Sequence, residues 1–305
     1  MKIIIIFLVL VIVGLGVYMF IWGPFSKDVV EQETNIDIET NPLQEDNQVV
    51  DIPVAEEDKE KTVIGKSVDG HSIVAYHYGS GDTEILFVGG IHGGYEWNTA
   101  LVAYEAMDYL EKNPNAIPEN IKVTIIPVLN PDGLIKVTGT TDVFTKEDVS
   151  LSQEIQVSGR FNGNTVDLNR NFDCDWQSEA KWQEKTVDGG ESVFSEPESL
   201  AIKKYIEEEK PKAVVVWYSA AGGVFASSCH DGVLPETKTI TNVYANASSY
   251  PAYNDFDFYQ ITGDMVNWLA KENIPAISVL LTTHEDTEWE KNKAGIEALF
   301  LHYGK

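Results

Sequence analysis

Basic residues and cysteines are scarce in this 305-residue chain. Lys and Arg number 22 against 48 Asp and Glu, a formal net charge of −26. Nucleic acid phosphates would be repelled, so nucleic acid is excluded as a partner. Two cysteines, Cys174 and Cys229, are too few for a disulfide scaffold. They also lack the C-x-x-C spacing of a zinc knuckle or a redox pair. One bridge in an oxidising compartment and two unrelated buried thiols are both compatible with them. There is no internal repeat. What is present in ordinary amount is apolar sequence, 43% of residues, so a sizeable core is available.

The longest uncharged apolar run is Ile3–Trp22, and a bilayer-spanning helix takes about 20 such residues. Lys2 precedes it and acidic sequence follows, which keeps the start cytoplasmic. A cleaved signal peptide is the competing reading. Against it, no small-x-small site follows the run; the next residues are Gly23, Pro24 and Phe25. The expectation is a single-pass anchor over residues 1–25, with the membrane as a partner and the rest of the chain extracytoplasmic. Residues 26–61, rich in Glu, Asp, Asn, Gln and Pro without periodicity, read as an acidic disordered tether. Residues 62–305 read as the folded domain.

Within that domain, alternation about Asp69-Gly70 predicts a hairpin. Glu84–Val88, Lys122–Leu129, Ala213–Trp217 and Ala276–Leu281 read as strands. Thr99–Glu111, Glu196–Glu209, Leu234–Tyr250, Thr262–Glu272 and Glu288–Tyr303 read as helices. Asn130-Pro131-Asp132-Gly133 reads as a turn, and Leu134–Val166 as a long irregular loop of the kind that carries function. Strands alternating with helices predict an α/β fold: one domain, a mixed and mostly parallel sheet between helical layers.

Two stretches carry chemistry. In Val88–Asn98, VGGIHGGYEWN, a strand runs into glycines, then His92 and Glu96. Imidazole and carboxylate are both good zinc ligands, and glycines let backbone approach a metal and its substrate. In Arg160–Trp176, RFNGNTVDLNRNFDCDW, arginines lie among asparagines. A guanidinium's planar donors with added amides suit the gripping of a carboxylate.

Together the two stretches resemble the M14 family of zinc carboxypeptidases, over about Thr62 to Tyr303. The family's His and Glu zinc ligands match His92 and Glu96. Its D-x-N-R-N-[FW]-D element matches Asp167–Asp173, which implies that Asn169 and Arg170 bind a terminal carboxylate. Arg160 sits where the family has the arginine that polarises the scissile carbonyl. Tyr259, in Tyr259-Gln260-x-x-Gly263-x-x-x-x-Trp268, takes the place of the mobile substrate-binding tyrosine. Val266 falls where an acidic residue would select basic side chains, although Asp264 lies two residues before it. The resemblance also brings the segments of Cys174 and Cys229 near the pocket and so implies that they bridge.

Three departures stand out. Three residues rather than two separate His92 from Glu96, a spacing that still places both on one face of a helical turn. Tyr218 stands in the place of the third zinc ligand, a histidine, and Leu280 in the place of the general base, a glutamate. Neutral phenol is a poor zinc ligand, and leucine takes no proton from water. His230 or His284 could replace the ligand, and Glu285 or Glu288 the base.

Two readings follow. In the first, Zn2+ held by His92, Glu96 and His230 drives hydrolysis of the C-terminal residue of extracytoplasmic peptides, cell-wall peptides by location. Arg160 and Glu285 or Glu288 are then catalytic, and Asn169, Arg170 and Tyr259 bind substrate. The alternative is an inactive pseudopeptidase that binds peptide C-termini. The first is preferred here because the substitute residues cluster near the gaps.

Overall fold

The computed structural model describes residues 60–304. An eight-stranded mixed sheet runs through the domain in the order β1-β2-β4-β3-β7-β10-β8-β9. The strands are β1 (Lys61–Lys66), β2 (Ser72–Gly79), β3 (Thr83–Val88), β4 (Ile121–Ile126), β7 (Ala213–Ser219), β8 (Gly223–Ala226), β9 (Ala252–Tyr253) and β10 (Ala276–Leu281). A separate hairpin, β5 (Glu179–Trp182) with β6 (Lys185–Asp188), lies outside it. The central run β4-β3-β7-β10 is parallel, and antiparallel pairs flank it at β1-β2, β2-β4 and β10-β8.

Strand side chains alternate between the two faces, and each face carries its own core. Ile85, Phe87, Val215, Trp217, Ile277 and Val279 face one layer. That layer is α1 (Trp97–Lys112), α5 (Pro235–Ser248) and α7 (Trp289–Tyr303), through residues such as Val102, Tyr244 and Leu299. Leu86, Val88, Val214, Val216, Tyr218 and Leu280 face the other. There α4 (Pro197–Glu209) and α6 (Met265–Lys271) close the core with Ile202, Ile206, Trp268 and Leu269. With both faces covered, β7 and β10 are buried along their whole length, as a parallel strand between helical layers must be. Burial of each large aliphatic or aromatic side chain here contributes about 1.5–3 kcal/mol.

Three expectations need correcting. Asn130–Gly133 is no turn but the start of α2 (Pro131–Thr138), with the Asn130 side chain accepting from Gly133 N at 2.9 Å as the helix cap. The supposed loop Leu134–Val166 contains most of α2, a 3-10 turn at Lys146–Asp148 and α3 (Gln153–Ser158). Finally, among the described residues no helix is long and apolar enough to cross a membrane. The longest, α1, has 16 residues, short of the roughly 20 a span takes, and it carries Glu105, Asp108 and Glu111. Among the described residues the fold is therefore the α/β domain alone. The single-pass, membrane-anchored localisation, and the membrane as a partner, have no described helix to carry them. Ile3–Trp22, on which they rested, lies outside the described residues, as does most of the expected tether.

Candidate functional site

The parallel strands β3, β7 and β10 bring their C-terminal ends to one edge of the sheet, where the turns that follow line a cavity of about 680 Å3. Beyond β3, Gly90 and Gly93 adopt φ of 60° and 44°. A Cβ on Gly93 would lie 2.6 Å from the Gly159 carbonyl oxygen. Glycine thus lets the 3-10 turn Gly93–Glu96 pack against the segment that leads into Arg160, and Gly94 N donates to the same carbonyl at 3.1 Å. His92, Glu96, Arg160, Asn169 and Arg170 all line this one cavity, and all are buried.

His92 Nδ1 lies 3.0 Å from Glu96 Oε1, and Nε2 lies 3.6 Å from Asp167 Oδ1. Neither nitrogen makes an aligned hydrogen bond. The other Glu96 oxygen accepts from Ser219 N at 3.0 Å. Burial pushes the Glu96 carboxyl up, but His92, Arg160 and His284 outweigh it and hold it below its ordinary range. Arg160 is similarly occupied: its Nε donates to Asp167 Oδ2 at 2.8 Å, Nη1 lies 3.8 Å from Glu96, and the Trp182 ring covers the guanidinium at 4.4 Å. Against burial, Arg160, Arg170 and His92 hold Asp167 well below the usual carboxylate range.

Arg170 differs. It follows Asn169 in the 3-10 turn Leu168–Arg170, capped by Asp167. Its Nε donates to Lys181 O at 2.9 Å and its Nη1 to Asn169 O at 2.6 Å. Its Nη2, like that of Arg160, is buried without a hydrogen-bond partner, but no ion pair to Arg170 forms among the described residues. Asp167 and Asp264 lie close enough to offset part of the cost of burying this charge, and an anion in the cavity would offset more of it.

Tyr218 and Leu280 are register neighbours on β7 and β10, both buried at the cavity wall. The Tyr218 ring lies 5.6 Å from that of His92, and its hydroxyl donates to Asn169 Oδ1 at 3.2 Å. Burial, with Asp264 and Glu96 adding to it, raises this phenol well above its ordinary pKa, so it stays protonated. A catalytic zinc site takes three protein ligands and a water. Of the three ligand places that the family resemblance names, those of His92 and Glu96 hold ligand types and that of Tyr218 does not. Among the described residues no group of three or more His, Cys, Asp or Glu is placed to hold a metal. The residues present do not fit a catalytic zinc centre.

The substitutes named from sequence do not close the gap. His230 lines the cavity but is 70% exposed and pairs with Asp175 at 3.3 Å. His284 also lines it, held by Ser219 Oγ at 2.8 Å and against the Tyr95 ring at 4.8 Å; burial lowers its pKa. Glu285 points outward to Lys146 at 2.7 Å. Glu288 accepts from Thr282 N, Tyr250 OH and Lys291 Nζ. Neither glutamate lines the cavity, since both sit beyond Leu281 where the chain turns out to begin α7. Tyr259 and Val266 do line it, and Cys174 and Cys229 form a disulfide on its wall, with Cα atoms 6.3 Å apart.

Sequence reasoning missed Asp167, the counter-ion of Arg160, although it opens the DLNRNFD element. It missed Trp182 as well, whose hairpin is announced only by the short alternation Ala180, Trp182, Val187. Asn98 also went unnoticed: it donates to Thr283 O and Asp286 O and accepts from Ser219 Oγ, tying the turn that holds His284 to the site.

A mixed sheet with a cavity at the carboxyl ends of its parallel strands, lined by His, Glu, two Arg and Asn, defines a carboxypeptidase-like site. The sequence profile of zinc carboxypeptidases matches residues 56–288, and the chain belongs to that family, Peptidase_M14. A metallocarboxypeptidase A of Trichophyton rubrum is 35% identical over 123 residues, covering 37% of this chain and 27% of the relative. Human carboxypeptidase Z is 28% identical over 184 residues, 56% of this chain and 26% of the relative. These matches span about a quarter of each relative's length. Among solved structures, the murein-tripeptide amidase MpaA of Escherichia coli O157 superposes with a TM-score of 0.57 at 18% identity, covering 80% of this chain and 92% of that one. Thrombin-activatable fibrinolysis inhibitor gives 0.61 at 17%, covering 79% and 67%. At such identity the superpositions establish the fold alone.

Proposed function

We propose that this chain is a peptidase-like protein that binds the free C-terminus of peptides without hydrolysing them. One observation carries the reading: Asn169 and Arg170, which would grip a carboxylate, line the same cavity as Tyr218 and Leu280, which cannot serve as zinc ligand and base. Arg170 presents a buried guanidinium with an unpartnered Nη2 beside the Asn169 amide. Next to them, Tyr218 and Leu280 fill the places of a zinc ligand and a base. A peptide carboxylate would supply the charge that Arg170 lacks, and Tyr259 with the neighbouring aromatic Phe256, 5.1 Å from it, would cover the last residue. The absence of a positioned base alone removes roughly 10²–10⁴ in rate.

The retention of His92, Glu96 and Arg160 in the cavity favours the second reading, a zinc carboxypeptidase. It would require a third ligand drawn from His284 or His230, which the ligand-free arrangement does not supply. Metal analysis of the full chain after zinc loading and desalting separates the two. The binding reading predicts sub-stoichiometric zinc together with saturable binding of a free-acid peptide. One zinc per chain, lost in His92→Ala, would support the hydrolase instead.

A further inference from the structure

Tyr218 occupies a position from which the carboxylate grip can be reached directly. Its hydroxyl lies 3.2 Å from Asn169 Oδ1, and the same oxygen accepts from Met265 N at 3.1 Å. On the other side of the amide, Asn169 Nδ2 donates to Asp264 Oδ2 at 2.8 Å. The main-chain N–H of Met265 can only donate, so the amide has one orientation that satisfies these neighbours, with Oδ1 toward Met265 and Tyr218. An amide nitrogen carries two hydrogens. With one committed to Asp264, the second is left for a ligand in the cavity that Asn169 lines.

We infer that Tyr218 is a positioning residue for carboxylate recognition, its hydroxyl holding the Asn169 amide so that the remaining N–H, together with Arg170, meets the ligand's terminal carboxylate. The inference rests on the binding function proposed above and gives the residue at the lost zinc-ligand position a use of its own. Packing supports it. Tyr218 sits at the end of β7 in register with Leu280, so the apolar side chain that replaces a base flanks the phenol. The hydroxyl thereby reaches across the cavity wall to the 3-10 turn bearing Asn169.

The test is a double-mutant cycle on the full chain, read by titration calorimetry with an acetylated tri-alanine peptide, its C-terminus free or amidated. Tyr218→Phe should weaken binding of the free acid about three- to tenfold, the worth of one neutral hydrogen bond, and leave the amide unchanged. In an Asn169→Ala background, Tyr218→Phe should have no further effect, because the hydroxyl acts through that amide. A merely structural role would weaken acid and amide alike, or would persist in the Asn169→Ala background; either result overturns the inference. Should Tyr218→Phe fail to fold, Tyr218→Met removes the same hydroxyl and must give the same selective loss. Wild-type chain that distinguishes acid from amide, with Tyr218→Phe behaving identically, overturns this inference alone. Wild-type chain that takes acid and amide equally overturns the binding function and this inference with it.

Discussion

Arg170 is held by two main-chain carbonyls and by no carboxylate, whereas Arg160 is neutralised by Asp167 and Glu96. Arg160 thus completes an internal charge network, and Arg170 is the arginine that the proposed function leaves for a peptide carboxylate. Charge-assisted hydrogen bonds are worth about 1.5–3 kcal/mol. Arg170→Met should accordingly lower affinity for a free-acid peptide by about 10- to 100-fold, measured by calorimetry. The same variant should change the ligand-free unfolding midpoint little, because the desolvation cost of a buried charge is removed together with its support of Asp167 and Asp264. Arg160→Met should instead lower that midpoint, because it strands Asp167. At this scale the sequence was informative about which residues the fold gathers: His92, Glu96, Asn169 and Arg170 all line the one cavity. It was uninformative about substitutes such as Glu285 and Glu288, because closeness along the chain says nothing about the direction in which a turn points a side chain.

At the scale of elements, the long regular segments were legible. α1, α4, α5, α7, β7 and β10 each announce themselves by an unbroken apolar pattern, and their observed ends fall within a few residues of expectation. The segment 130–166 was not legible: α2 and α3 have eight and six residues, too short for a helical period to establish itself. β8, β9 and the β5-β6 hairpin escaped for the same reason, and with them Trp182, the lid over Arg160. One covalent link spans two of these regions. The Cys174–Cys229 disulfide, with a sequence separation of 55, joins the segment after Arg170 to the loop beyond β8. Closing a loop of this size restricts the unfolded chain, with a stabilisation of about 2–4 kcal/mol. Cys174→Ser with Cys229→Ser should lower stability by that amount in denaturant titrations, and reductant should do the same to the wild-type chain but not to the variant.

Across the whole molecule, acidity dominates. A net charge of −26 opposes compaction through self-repulsion at neutral pH. Burial also raises the pKa of Glu198 above its ordinary value of 4.5, with Asp132 adding to the effect. A carboxyl whose folded pKa is raised binds its proton more tightly when folded. Its contribution therefore grows as pH falls through the raised value and is complete below 4.5. Asp167 works in the opposite direction: its depressed folded pKa contributes fully above its ordinary value of 3.8, and that contribution is lost as pH falls below it. Glu198 therefore pushes the unfolding midpoint up as pH falls toward 4.5, whereas His284, with its lowered pKa, pulls it down below about 6.5. Asp167 makes it fall steeply below about pH 4, as calorimetric scans would record. Glu198→Gln should flatten the rise and leave the acid limb in place.

The central claim, recognition of a free C-terminus without turnover, is tested most directly by following the fate of a bound peptide. The full chain, supplied with excess zinc, is incubated with an acetylated peptide bearing a free C-terminus, and mass spectrometry reads both bound and free pools. The account predicts that the peptide is retained and recovered intact; appearance of the peptide shortened by its last residue, at a rate abolished in His92→Ala, would contradict it.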